Sequence, residues 1–283
     1  MSNKTLLLSL AASMLIGFGA CKKDKKEEEK EEVKKEEGPA AITKTQQSTI
    51  FYMSGNWCGP CGLYGVPAKA NAKTKYGDKV NILACQLNGS GNTDPLNNAD
   101  ANSLAGVFNV TGVPTAYILA NLEGTSVGGG STMSATMETA IGNNIGVTDV
   151  LANMIVDKAK IEGSTISIET RTKFFKAGEG QYRLAAYIIE DNIAGRQYSS
   201  GSGWADYDFM GVVRKSLGST VTGDDFVKDA EANKEYPKTI TTSLNTSWNK
   251  ANLKIVLVLW KATTNSSGGT TVAVVNSISK HIE

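Results

Sequence analysis

An apolar run, Thr49-Ile50-Phe51-Tyr52-Met53, leads into Trp57-Cys58-Gly59-Pro60-Cys61 and then into residues 63–76, which carry Ala68, Ala70, Ala72 and several lysines. The pattern predicts a strand, a tight turn and a helix with a dithiol in its first turn. Two cysteines at this spacing lie close enough to close a small disulfide and to reopen it. Unpaired backbone N–H groups and the positive end of the helix dipole favour negative charge at the first sulfur. Cys58 is therefore expected to ionise readily and attack, and Cys61, one turn deeper, to resolve the mixed disulfide. Pro60 needs no N–H partner in this early turn, and Pro67 is expected to kink or restart the helix. Gly59 is expected to leave the surface beside Cys58 uncrowded.

The rest of the composition narrows the chemistry. The chain has 283 residues, 41% of them apolar and 20% charged, enough for two globular domains. A net charge of +1 gives no reason to expect a nucleic-acid partner. The single histidine, His281, lies at the C-terminal end, so nucleophile systems that need a histidine are excluded in practice. Cys85 sits mid-strand among apolar neighbours and reads as buried and inert. A zinc site from Cys58, Cys61, Cys85 and His281 would block the dithiol, so no metal and no cofactor are expected.

Residues 1–20 carry one early lysine, an apolar run from Leu6 to Phe18, and Gly19-Ala20 directly before Cys21. That is the form of a signal peptide, and the small pair before a cysteine resembles the bacterial lipobox, although Phe18 departs from the usual aliphatic residue. The resemblance implies lipidation of Cys21. Cleavage elsewhere would leave Cys21 a free thiol. Residues 22–37 are lysine and glutamate with one aspartate and one valine and cannot bury a core. With Cys21, residues 21–39 form a solvated tether holding the folded part roughly 25 Å from the lipid. Charge close behind a lipidated cysteine resembles signals that route lipoproteins to the outer membrane or cell surface of some Gram-negative bacteria.

Downstream of the dithiol, 79–88 reads as a buried strand, 88–98 as a loop rich in Gly, Asn and Asp, and 99–108 as a helix. The loop either shapes access to the dithiol or is surface filler. Residues 110–119 read as a strand with Pro114 near its start, where a cis peptide and a missing N–H are tolerated. A hairpin turning at 121–124 and a helix over 133–143 follow. In this order, strand, Trp-Cys-Gly-Pro-Cys, helix, strand, helix, Val113-Pro114-Thr115, hairpin and helix resemble thioredoxin over residues 40–146. The resemblance implies that Cys58 is the nucleophile and Cys61 the resolving thiol. It also implies that Trp57 flanks the sulfurs, Pro114 is the cis-proline beside them and Val113 lends its backbone to an extended substrate. Two positions depart from the family. Tyr52 stands where such enzymes usually bury an aspartate, and Gln86 falls where a lysine assists it, so Cys61 must lose its proton by another route.

From 147 onward the pattern changes to strands over 155–161, 165–175, 182–190, 209–217, 239–248, 253–261 and 270–279, rich in Val, Ile, Thr and aromatics. The fold class expected is two domains: an α/β thioredoxin-like fold, then an antiparallel β-sandwich over 147–283. Asp206, Asp208, Asp224 and Asp225 read as solvated loop acids, and Trp204, Tyr207 and Phe209 as core. Arg214 is expected to pair with Glu190 or Asp191. Residues 186–192 with Gln197, Tyr207, Val213-Arg214 and Gly223 are similar to the C-terminal domain of outer-membrane lipoproteins that join a thioredoxin-like module to a β-sandwich.

Two functions follow as expectations. The first is a lipid-anchored thiol–disulfide oxidoreductase of the cell envelope, taking protein or peptide disulfides as substrates and an upstream thiol donor if it works as a reductase. The second is a surface binding or adhesion lipoprotein in which Cys58–Cys61 is a structural disulfide. The missing proton-handling pair at Tyr52 and Gln86 motivates the second.

Overall fold

The computed structural model describes residues 39–264 and 268–283. The signal segment 1–20, Cys21 and the tether up to residue 38 lie outside the described residues. The apolar run ahead of the dithiol is β1 (Ser48–Ser54), buried at every position. Side chains alternate across a strand, so Ile50 and Tyr52 pack on one face and Phe51 and Met53 on the other. β1 pairs in parallel with β2 (Val80–Gln86) and antiparallel with β3 (Thr115–Ala120), which turns into β4 (Glu123–Gly128). The turn uses Asn121 and Leu122, both at positive φ. A π-helical turn, Cys61–Gly65, follows the dithiol and runs into α1 (Val66–Tyr76). Pro67 falls in the first turn of α1, so the helix restarts there as expected.

α1 and α3 (Met133–Ile145) bury Ala68, Ala72, Met133, Met137 and Ile141 against the Ile50 face. α2 (Ala99–Val107) covers the Phe51 face through Ala101 and Leu104, and the Asn98 side chain caps it by accepting the Ala101 N–H at 2.9 Å. The segment 110–114 is not strand, because β3 begins only at Thr115, after the cis Val113–Pro114 bond.

The C-terminal half is built of β5 (Ala152–Glu162), β6 (Thr165–Phe174), β7 (Gly178–Glu190), β8 (Ile193–Ser199), β9 (Gly203–Phe209), β10 (Val212–Leu217), β11 (Asp224–Ala230), β12 (Glu235–Ser243), β13 (Leu253–Thr264) and β14 (Thr270–His281). Sandwich packing is present: the three-stranded sheet β12-β6-β5 covers Tyr182, Leu184, Ala186 and Ile188 of β7 and Leu253, Ile255, Leu257 and Leu259 of β13. The expected separation into two domains is not what the chain does. A nine-stranded mixed sheet runs β14-β13-β7-β10-β2-β1-β3-β4, with β11 also on β7, and residues 39–283 make one compact unit.

The joint is small. Val212 of β10 pairs with Ala84 of β2, and Ala84 N–H donates to the Gly211 carbonyl at 2.7 Å. Gly211 sits at φ 68°, and a Cβ there would lie 2.6 Å from the Ile82 carbonyl oxygen, so only glycine permits this approach. β14 then returns to the far edge, where the Asn121 and Leu122 N–H groups donate to the Val275 and Val274 carbonyls at 3.0 and 2.7 Å. The space between is one apolar core shared by both halves: Phe51 lies 5.5 Å from Trp260 and 5.9 Å from Tyr187, centroid to centroid.

Other expectations change with this topology. Asp206 and Asp208 lie on β9, and Asp224 and Asp225 on β11, so they are strand residues rather than loop acids. Phe209 is buried as expected, Tyr207 is half-buried, and Trp204 is exposed. The strand expected over 239–248 ends at Ser243, because the residues before it, from Glu235, pair along β6 instead. Arg214 Nε meets Glu190 Oε2 at 3.2 Å, as expected.

Candidate functional site

Cys58 and Cys61 form a disulfide, with their Cα atoms 5.2 Å apart. Cys61 is fully buried and Cys58 is 4% exposed. The turn is closed by backbone hydrogen bonds, Cys58 N–H to the Gly55 carbonyl at 3.1 Å and Gly62 N–H to the Cys58 carbonyl at 3.2 Å. The Cys61 N–H points at Cys58 Sγ, 3.2 Å away. On reduction that donor favours the thiolate at Cys58 over the thiol, the physical effect expected from a cysteine at a helix start.

Three neighbours hold the turn. Trp57 donates its indole N–H to the Leu87 carbonyl at 2.9 Å, and its ring lies so close over Gly89 that a Cβ there would come within 2.5 Å of it. Trp57 is thus a half-buried brace as well as a flanking ring. Asp94 accepts the Asn56 N–H at 2.7 Å and the Leu96 N–H at 2.8 Å, and burial raises its carboxyl above the usual range. The 88–98 loop is therefore not surface filler, because Asp94 fixes the backbone just ahead of the dithiol. On the opposite side the Val113–Pro114 peptide is cis. The Val113 carbonyl oxygen is 3.5 Å from Cys58 Sγ, and the Pro114 carbonyl accepts the Gly129 N–H at 2.9 Å.

The third support comes from the C-terminal half. The hairpin β8–β9 lays its tip on the dithiol turn: Tyr198 N–H donates to the Asn56 carbonyl at 2.7 Å and Ser200 N–H to the Gly59 carbonyl at 3.1 Å. Gln197, only 5% exposed, directs its amide nitrogen at the carbonyls of Gly55, Asn56 and Cys58, at 3.2, 3.1 and 3.3 Å. Gly59 does not leave its surface uncrowded. A Cβ at Gly59 would sit 2.3 Å from Ser200 Oγ, and one at Gly62 would sit 2.4 Å from the Tyr198 carbonyl oxygen. Both glycines are required by the hairpin. Gln197, Tyr198, Ser200 and Asp94 are the site residues that sequence reasoning missed. A signal existed in Ser199-Ser200-Gly201-Ser202-Gly203, a turn composition flanked by Tyr198 and Trp204.

Tyr52 is buried, and burial pushes its hydroxyl upward, so it stays protonated. Its oxygen lies under Gly65, where a Cβ would come within 1.9 Å of it. Gln86 is buried at the end of β2. Cys85 is fully buried and burial alone pushes its thiol up, which makes it inert. His281 lies near the Ala251 carbonyl, and among the described residues no group of three His, Cys, Asp or Glu side chains could hold a metal ion.

Comparisons with known proteins add the wider setting. HBP35 of Porphyromonas gingivalis superposes with a TM-score of 0.60 over 86% of this chain and 77% of its own, at 15% identity. That likeness is one of fold. A domain of the outer membrane lipoprotein Omp28 from Porphyromonas gingivalis aligns over 48% of this chain and 92% of its own, at 15% identity and a TM-score of 0.30. No curated protein sequence matches the chain. The family described as outer membrane protein Omp28 matches residues 101–282, a stretch that takes in the whole β8–β9 hairpin and most of the shared core. The chain belongs to the Omp28 outer membrane protein family, and its place is the outer membrane.

Proposed function

We propose that this protein is a lipid-anchored thiol–disulfide oxidoreductase, with a thioredoxin-like module over residues 40–146 and lipidation at Cys21. The observation that carries the reading is the Cys61 N–H held 3.2 Å from Cys58 Sγ, with the Val113 carbonyl 3.5 Å from the same sulfur. On the reduced protein the Cys58 thiolate attacks one sulfur of a protein or peptide disulfide. A bond forms between them, and the other substrate sulfur leaves as a thiolate and takes a proton. Cys61, having given up its own proton, attacks Cys58 Sγ. The second substrate sulfur leaves, and the Cys58–Cys61 disulfide remains. The substrate gains two electrons and the protein loses two, so an upstream thiol donor must restore the dithiol before another turnover. Trp57 and the Val113 backbone form the substrate-facing rim. Tyr52 cannot act as the acid–base partner of Cys61, so water serves in its place and exchange is slower than with a buried carboxylate.

A second reading has its own observation. With Cys58 4% exposed and Ser200 seated against Gly59, the disulfide is shielded as a structural crosslink would be. The reduction potential of the full-length protein decides between the two. A value above about −300 mV marks an exchangeable pair, and a lower one a structural disulfide. A Cys61→Ser variant should also accumulate mixed disulfides through Cys58. Failure to trap any, together with a potential below that limit, would remove the oxidoreductase reading.

A further inference from the structure

The joint between the two halves leaves a cavity of about 320 Å³ bounded by α1, the start of β2 and strands β7, β13 and β14. That volume is at the small end of ligand sites. We propose that it binds a small anion with an apolar body, a medium-chain carboxylate, whose charged end meets Lys69 and whose chain lies along Ile82, Tyr207 and Met210.

Lys69 is the reason. It projects from the middle of α1 and is only 6% exposed. An ammonium group has three donors to place. Lys69 places one, a long 3.4 Å hydrogen bond to the Met210 carbonyl, and rests against the rings of Tyr52 and Tyr207 at 5.2 and 6.0 Å. Among the described residues the one carboxylate on the cavity wall is Asp191, and it is already engaged. Lys254 Nζ meets its Oδ2 at 2.7 Å, and the Gly211 N–H donates to its Oδ1 at 2.7 Å. Asp191 favours the Lys69 charge through space but is shared with Lys254, and a bound carboxylate would add a direct ion pair and the missing acceptors. Burial lowers Lys69 to about 8, so it still carries its charge at pH 7. Lys73 also lines the cavity, but its ammonium is held by the Gly77 carbonyl at 2.8 Å and Asp78 at 3.4 Å, so Lys69 is the cation left for the ligand. The chain of the ligand then covers apolar surface at Ile82, Tyr207 and Met210. The site uses no atom of the dithiol.

The test is calorimetric titration of the oxidised full-length protein at pH 7 with sodium octanoate, beside 1-octanol as a chain without charge and sodium acetate as a charge without chain. Octanoate should saturate one site, with 1-octanol and acetate each at least about tenfold weaker. Lys69→Met keeps the aliphatic stem and should weaken octanoate by about tenfold or more. Ala70→Trp, at an exposed position of α1 on the cavity wall, obstructs entry while leaving Lys69 in place, and should abolish binding even if Lys69→Met does not fold. No saturable octanoate binding to the wild type, equal binding of 1-octanol, or wild-type affinity in Ala70→Trp would each overturn the proposal.

Discussion

Replacing Gln197 tests whether the hairpin holds the dithiol turn. The amide nitrogen has two N–H groups facing four carbonyls: Gly55, Asn56 and Cys58 across the interface, and its neighbour Tyr198 at 3.0 Å. The three carbonyls on the turn each keep another donor, from Cys58 N–H, Tyr198 N–H and Gly62 N–H. Gln197→Ala therefore leaves none of these three unpaired. What is lost is about two hydrogen bonds at about 0.5–1.5 kcal/mol each, plus about 1 kcal/mol of buried side-chain packing, or about 2–4 kcal/mol in all. Gln197→Glu has nearly the same shape but turns donors into acceptors. At pH 7 it puts an unpaired carboxylate against several carbonyl oxygens and should destabilise by about 3–5 kcal/mol, more than alanine. Its folded pKa is raised, so part of the loss should return as the pH falls toward about 4, the carboxyl gaining an O–H donor. Urea unfolding of the oxidised full-length protein measures the global effect, and hydrogen exchange at the Tyr198 and Ser200 amides measures local opening of the hairpin. Gln197→Glu matching the wild type at pH 7, with unchanged exchange at both amides, would refute the reasoning.

Stability should also depend on pH through Lys69 and the buried tyrosines. Lys69 is lowered to about 8 from 10.5, so between those values the unfolded chain binds more protons and stability rises with pH, by about 2–3 kcal/mol near pH 10. Asp191, Lys254, Tyr52 and Tyr207 are the ionisable groups around it. Burial raises the Cys85 thiol, Tyr52 and Tyr187, so the unfolded chain loses the Cys85 proton first above about pH 9 and the tyrosine protons above about pH 10, and stability falls again. Urea midpoints from pH 7 to 11 should show the rise and then the fall; a flat curve from 7 to 9, below the Cys85 and tyrosine window, would contradict the buried, charged Lys69. Gly211→Ala adds a Cβ at positive φ and against the Ile82 carbonyl, so it should cost about 2 kcal/mol or more; a change under about 0.5 kcal/mol would show that the joint is not tight.

What was legible in the sequence is what local signals determine. The strand–turn–helix around Cys58 and Cys61 was readable because apolar alternation, a turn and a helix start follow one another without interruption. The buried state of Cys85 followed from its apolar neighbours. β8 and β9 were not readable, because the hairpin projects from the sheet and most of its side chains are exposed on both faces, so no period-two pattern marks it. Its one well-buried polar residue, Gln197, is buried by contact with residues about 140 positions earlier, a distance that no local pattern reports. β11 was missed for the same reason, with exposed positions along both faces. The joint at Gly211 rests on a single paired residue of β2, Ala84.

The shared core also bears on how function can be divided along the chain. Thioredoxin-like and sandwich readings invite a cut at 146/147, with redox chemistry assigned to one piece and binding to the other. That cut would strip Phe51, Met53 and Leu83 of the cover given by Tyr187, Val256 and Trp260, all fully buried in one cluster. It would also remove Tyr198, Ser200 and Gln197 from the dithiol turn. At about 25 cal/mol per Å² of apolar surface, exposing several such side chains amounts to several kcal/mol, comparable with the whole stability of an ordinary domain. A fragment of residues 40–146 would therefore carry Cys58 and Cys61 in a turn unlike the native one, and its potential would not be that of the protein. The β8–β9 hairpin belongs to the Cys58–Cys61 turn by contact, and the second half of the chain is part of the disulfide's support.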